Sequence, residues 1–340
     1  MIQMGGIFLS ALIASTLLTG LLRRYALAFS LLDIPSARSS HKMPIPRGGG
    51  LAIVIVFLAG LKIISEMGLL AQEAWWTVFG AGAWVALIGF LDDHSHIPVH
   101  WRLLVHFIGA GWGLFWLGGF PPLAFFGYSL DMGWVGHILG LLYLVWLLNL
   151  YNFMDGIDGI AGIEAITICL SGVLLYLLLP ETVELWREVL LLAMAVGGFL
   201  LWNFPPAKIF MGDVGSGFLG IVFGIFSIQA GWLSSQLFWS WLILLGVFIV
   251  DATWTLLCRL LRHEKIYEAH CSHAYQYASR RYGSHKAVSL GVGAITMFWL
   301  MPIALWVGLG GLDGMLGLLL AYMPLTLLAI NFKAGARERE

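Results

Sequence analysis

A chain of 340 residues of which 60% are apolar and only 11% charged is no ordinary soluble domain, where roughly a quarter of residues carry charge. Its formal net charge of −1 gives no overall attraction for nucleic acid. The three cysteines, Cys169, Cys258 and Cys271, fit no CxxC pattern and imply no disulfide framework, which leaves an integral membrane protein.

A helical span takes about 20 apolar residues. The first apolar run, ending at Leu22, is followed rather than preceded by Arg23 and Arg24. A secretory signal has its charge first, so this run is expected to stay as a span. Spans are expected at 4–22, 48–65, 74–91, 103–119, 134–150, 160–179, 188–203, 216–233, 237–258, 288–308 and 314–332. The reading is an all-α polytopic fold, about eleven transmembrane helices in a single domain over 1–340. The segment 120–128, with Pro121 and Pro122, is expected as an interfacial loop.

Numbering the loops alternately puts 16 of the 18 Lys and Arg residues on one side and leaves Lys62 and Arg187 on the other. The richer side is cytoplasmic by the positive-inside rule, with a periplasmic N-terminus and a cytoplasmic C-terminus. The acids of the other face, Glu66, Glu73, Asp131, Glu181, Glu184, Glu188 and Asp313, read as solvated loop ends. Asp251 reads as the one charge inside a span.

Five cytoplasmic segments hold the concentrated polar chemistry. Asp33 to Gly50 carries Arg38, His41, Lys42 and Arg47 ahead of three glycines. This suits a phosphate clamp, or a plain basic flank stiffened by proline. Next, Asp92 and Asp93 lie hard against Phe90 and Leu91, with His96, His100 and Arg102 after them. Adjacent carboxylates repel unless a divalent cation or a proton relieves them. One can hold metal while the other acts as base; the bland alternative is an Asp pair facing water.

The third segment, Asn149-x-x-Asn152-x-x-Asp155-Gly-x-Asp158-Gly, keeps amides and carboxylates at i, i+3 spacing at a span edge. Ionisable groups there suggest function by default. In the fourth, 203–217, Lys208 and Asp213 flank glycines where a helix begins. That is either a phosphate and metal site or an Asp N-cap. The fifth, 259–286, holds His270, His273, Arg280 and Arg281, a grip for pyrophosphate or a surface basic loop. Asp251 nearby reads as a partner for an arginine or lysine.

Taken in order, these motifs resemble the polyprenyl-phosphate N-acetylhexosamine-1-phosphate transferases of glycosyl transferase family 4, over about 33–276. The resemblance is closest to the branch that initiates O-antigen or related glycans. It implies transfer of an N-acetylaminosugar 1-phosphate from a UDP-sugar to undecaprenyl phosphate, with UMP leaving. The setting is the bacterial inner membrane, in lipopolysaccharide biosynthesis. It also implies Mg²⁺, with Mn²⁺ as substitute.

Carried over by motif, Asp92, Asp93 and Asp213 are catalytic, with Asp93 and Asp213 at the metal. Asn149, Asn152, Asp155, Asp158, Lys42, Arg47, Arg102, Lys208, His270 and His273 bind substrate. His96 stands where the murein-precursor branch has Lys. His270-Cys-Ser-His273 replaces that branch's consecutive histidines. Both departures argue against a muramyl-pentapeptide substrate, and the His-x-x-His form resembles the branch using 6-deoxy aminosugars.

Partners implied are undecaprenyl phosphate, a UDP-N-acetylaminosugar and the lipid bilayer, with no nucleic acid; a homodimer is left open. The rival enzyme is an intramembrane Mg-dependent prenyltransferase acting on a prenyl diphosphate, which lacks its second Asp-rich motif here. A phosphatidyl-alcohol transferase lacks its Arg. A transporter lacks mid-membrane charges and an internal repeat.

Overall fold

The computed structural model describes residues 2–35, 43–95, 97–179, 185–264 and 270–336. Lys42, with Arg38, His41 and His96, therefore lies outside the described residues. The architecture is all-α, and helices stand at all eleven expected positions. In chain order they are α1 (Ile2–Ala28), α2 (Leu51–Glu66), α3 (Gln72–Ser95), α4 (Val99–Trp116), α5 (Gly133–Phe153), α6 (Ile160–Leu177), α7 (Trp186–Asn203) and α8 (Asp213–Leu233). Then come α9 (Ser235–Leu244), α10 (Gly246–Leu261), α11 (Ala274–Tyr282), α12 (His285–Ile295), α13 (Met301–Gly308) and α14 (Gly314–Asn331). A π-helical turn, Thr296–Leu300, joins α12 to α13.

Among the described residues, eight helices are long and apolar enough to cross a bilayer, or up to nine if a bent pair is one span. The others among the eleven positions are α2, only 16 residues long, and α4, which carries His100, Arg102 and His106.

The bent pair is α9 and α10, at 70° to one another. Apolar sequence ran on here, so the break was not expected. A break frees backbone groups that lipid cannot satisfy. Tyr322 on α14 answers it: its hydroxyl donates to the Leu242 carbonyl at 2.7 Å.

The central helix is α8, buried along nearly its whole length and packed against α3 and α5. An all-round apolar helix belongs in such a place. Because successive helices alternate in direction, the ends of α3, α5, α7 and α10 gather with the starts of α4, α6, α8 and α12. Described parts of all five polar segments meet at this end, and α11 lies over it. At the other end β1 (Leu123–Phe125) and β2 (Tyr128–Leu130) form an antiparallel hairpin where a loop was expected. Trp134 and Tyr128 are exposed beside it, as befits a membrane interface.

Two sequence readings need correction. Glu188 is no solvated loop end: it is 1% exposed and hydrogen-bonded with Gln229. Nor is Asp251 the one acid inside a span. Glu164 on α6 is fully buried and accepts from the Thr296 hydroxyl at 2.8 Å, where the π turn begins.

Candidate active site

Three helices, α3, α4 and α8, meet at one guanidinium. Arg102, in the first turn of α4, donates to Asp92 Oδ2 at 2.6 Å and pairs with Asp213 Oδ2 at 3.2 Å. The Ile97 amide donates to Asp92 Oδ1 at 2.6 Å, which closes the turn from α3 into α4. The Asn152 amide also bonds to the Asp213 carboxylate, which Asp92 reaches as well. Two bare carboxylates at about 4 Å repel by roughly 4 kcal/mol in a partly screened setting. Arg102 offsets that repulsion, and a phosphate arriving at Arg102 competes with both acids for it.

Asp93, the next residue round α3, is turned into the protein. It is 6% exposed and accepts from the amides of Asp213 at 3.3 Å and Val214 at 3.4 Å. A carboxylate of α3 thus serves the free amides at the start of α8. Arg47 contributes positive charge beside it. The contact needs Gly212, whose φ of 75° and ψ of 170° lie in a region essentially reserved for glycine. A Cβ there would also run into the Asp93 carboxylate. Gly212→Ala is expected to cost about 2 kcal/mol, read as a lower thermal midpoint, with activity falling in parallel.

Asp155 sits in the turn between α5 and α6. Enclosure by the protein, with the negative charges of Asp213, Asp93 and Asp158, holds its carboxyl well above the usual carboxylate range. Asp158 is committed to holding loops together. Its Oδ2 accepts from the Ala207 amide at 3.0 Å, its Oδ1 lies 3.2 Å from His285 Nδ1, and its carbonyl accepts from Ser289 at 2.8 Å. Asn203, for which the sequence suggested no role, does the same. Its Oδ1 accepts from the Gly159 amide and its Nδ2 donates to the Ile209 carbonyl. Backbone bonds from Phe210 to Pro46 and from Gly49 and Gly50 to Phe210 and Met211 knit the first segment to the fourth.

A cleft of about 690 Å³ opens over this cluster. Its polar part is lined by Arg102, Asp213, Asn149, Asn152, His270 and His273, its apolar part by Leu103, Leu142, Val145, Trp146 and Leu256. The His270 and His273 rings stack with centroids 4.8 Å apart. Burial, with His273 and Arg259 beside it, pushes His270 down to about 3, so its imidazole is neutral near pH 7 and offers a hydrogen bond rather than a charge.

Asp251 holds the histidine segment, and its partners are not the arginine or lysine expected. It accepts from the Ala274 and Tyr275 amides at 2.8 and 3.0 Å and lies 3.5 Å from His273 Nδ1. Arg280 donates to the Cys271 carbonyl and Arg281 lies over Phe332, so both serve the packing of α11. Lys208 is also placed away from the cleft, leaning on the Trp202 ring at 5.7 Å.

The structure therefore gathers Asp92, Asp93, Asp155, Asp213, Arg102, Asn149, Asn152, His270 and His273. Asp158 and Arg47 support them from behind. Among the described residues, no three His, Cys, Asp or Glu side chains form a ready metal cage. Magnesium does not ask for one: it is commonly held by one or two carboxylates, waters and substrate phosphates. An excess of hard oxygen donors around Asp213 fits such an ion.

Comparison with known proteins agrees with this geometry. The description "Glycosyl transferase family 4" matches residues 75–231, which include every acid of the cluster. A probable undecaprenyl-phosphate N-acetylglucosaminyl 1-phosphate transferase of Bacillus subtilis (strain 168) is 32% identical over 281 residues, 81% of this chain and 77% of the relative. An undecaprenyl-phosphate alpha-N-acetylglucosaminyl 1-phosphate transferase of Thermotoga maritima is 25% identical over 86% of this chain and 88% of its own length. A phospho-N-acetylmuramoyl-pentapeptide-transferase of Moorella thermoacetica is 29% identical over only 42% of this chain and 49% of its own. The fold and site define a multi-pass membrane protein with an acidic, arginine-bridged cleft at one end of its helices. The chain belongs to glycosyl transferase family 4, the polyprenyl-phosphate N-acetylhexosamine-1-phosphate transferases.

Proposed function

We propose that this chain transfers an N-acetylaminosugar 1-phosphate from a UDP-sugar to undecaprenyl phosphate at the cytoplasmic leaflet of a bacterial inner membrane. The product begins a lipid-linked glycan of the O-antigen type. The observation that carries the reading is the pairing of Arg102 with both Asp92 and Asp213 in a cleft lined by polar residues at the helix ends and apolar ones further along α4 and α5. Such a cleft suits two phosphate groups, one of them on an oily chain. The names of the relatives make UDP-N-acetylglucosamine the first donor to try.

In the reaction an oxygen of the lipid phosphate bonds to the phosphorus that carries the sugar. The bond from that phosphorus to the oxygen of UMP breaks, and UMP leaves with the electron pair. Asp92 takes the remaining proton of the acceptor phosphate. Arg102 turns from the acids to the phosphates and stabilises the charge that spreads in transfer. Asn149 and Asn152 orient the donor, and neutral His270, with His273 beside it, hydrogen-bonds to it. Asp213 would hold Mg²⁺ (Mn²⁺ as substitute), with Asp93 fixing the helix start that carries it. The ion would supply charge neutralisation between the two phosphates.

The test is purified protein with undecaprenyl phosphate, Mg²⁺ and a panel of UDP-sugars. UMP together with a lipid-linked sugar is expected, lost on chelation and restored by Mg²⁺. Release of UDP or of free diphosphate rejects the reading, and consumption of a prenyl diphosphate would favour the prenyltransferase instead.

A further inference from the structure

His106 stands one helical turn beyond Arg102 on the same face of α4 and lines the cleft. The residue is only 5% exposed, and its Nδ1 is buried without a hydrogen-bond partner. Leaving a buried N–H donor unpaired is rarer than leaving an acceptor under-used. The ring proton therefore belongs on Nε2, the nitrogen left to meet a ligand in the cleft.

Its surroundings say which ligand. His106 lies a turn further from the site end of α4 than Arg102, as Leu142, Val145 and Trp146 do on α5 relative to Asn149 and Asn152, and all of these line the cleft. Val99, Leu103 and Leu142 are exposed, as an opening toward lipid requires. The amides and the two stacked histidines belong to the polar part. A nucleotide sugar matches that polar side, whereas an apolar chain ending in a phosphate matches the side of His106.

We infer that His106 is a binding residue for the acceptor, donating Nε2–H to a phosphate oxygen of an apolar-chain phosphomonoester while Arg102 takes another. The inference rests on the transferase reading above and adds a division of labour within the cleft. Arg102 meets both phosphates, and His106 meets the one on the lipid.

The test is a pair of variants in the full chain. His106→Phe removes the donor and keeps the ring volume, and His106→Gln restores an N–H. Direct binding of undecaprenyl phosphate to the detergent-purified protein is measured beside KM for acceptor and for UDP-N-acetylglucosamine. His106→Phe is expected to weaken acceptor binding and raise its KM by about tenfold or more, the scale of a hydrogen bond to a charged group. The donor KM should stay within about twofold, and His106→Gln should recover most of the loss. Equal loss toward both substrates, loss toward the donor alone, or unchanged acceptor binding in the folded Phe variant overturns the assignment. If His106→Phe does not fold, the Gln variant decides: acceptor binding weakened despite a retained N–H overturns it too. A wild-type protein that binds undecaprenyl phosphate but transfers no sugar would defeat the transferase reading instead, leaving the binding comparison to be scored separately.

Discussion

Arg102→Ala is expected to lower kcat/KM by about a thousandfold, the upper range for removing one preorganised donor to developing charge. The guanidinium is the sole cation seen bonded to both Asp92 and Asp213 among the described residues. Without it the two acids lose the cation they share, and incoming phosphates lose their nearest guanidinium. Lysine keeps the charge but cannot span two carboxylates with a planar fork. Arg102→Lys should therefore recover only part of the loss. The measurement is steady-state release of UMP at saturating and limiting acceptor. A rate within tenfold of wild type in the alanine variant would show that Arg102 does not face the reacting phosphates.

Asp213→Asn is expected to abolish turnover, by at least about a thousandfold, while leaving the protein as stable as before or more so. The two effects part company because the carboxylate stands within reach of Asp92 and near Asp155. Like charges gathered for function cost stability, and the amide relieves them. Asp93→Asn should behave differently. Its oxygens serve the Asp213 and Val214 amides, so the amide variant loses activity and thermal midpoint together. Comparing UMP release with thermal unfolding of both variants separates an acid that meets substrate from one that holds a helix start. A fully active Asp213→Asn protein would remove that residue from the site.

The chain announced its helices clearly. Helices stand at each of the eleven apolar runs, and in those that cross a bilayer every backbone group must be satisfied within its own segment. The 70° break between Leu244 and Gly246 was hidden, since no proline marks it and the compensating hydroxyl comes from Tyr322, far along the chain. The helix Ala274–Tyr282 was also missed; its capping box between His273 and Gln276 was the available signal.

At the site, the convergence of Asp92, Asp155 and Asp213 was legible from motifs in order. Which acid touches what was not, because Asp158 and Asp93 are engaged by amides from distant loops. Lys208 looked like a phosphate ligand on charge alone, yet it packs on Trp202. His106 and Glu164 were overlooked within apolar runs. The spacing of His106, four residues after Arg102, was a signal the sequence did offer.

The hold of Asp251 on the start of α11 ties the histidine segment to the helix bundle. Both of its oxygens and its contact with His273 anchor the histidine pair from within α10. The aim of those rings is thereby coupled to the position of α10. Any shift of α10 would carry the pair with it as one unit.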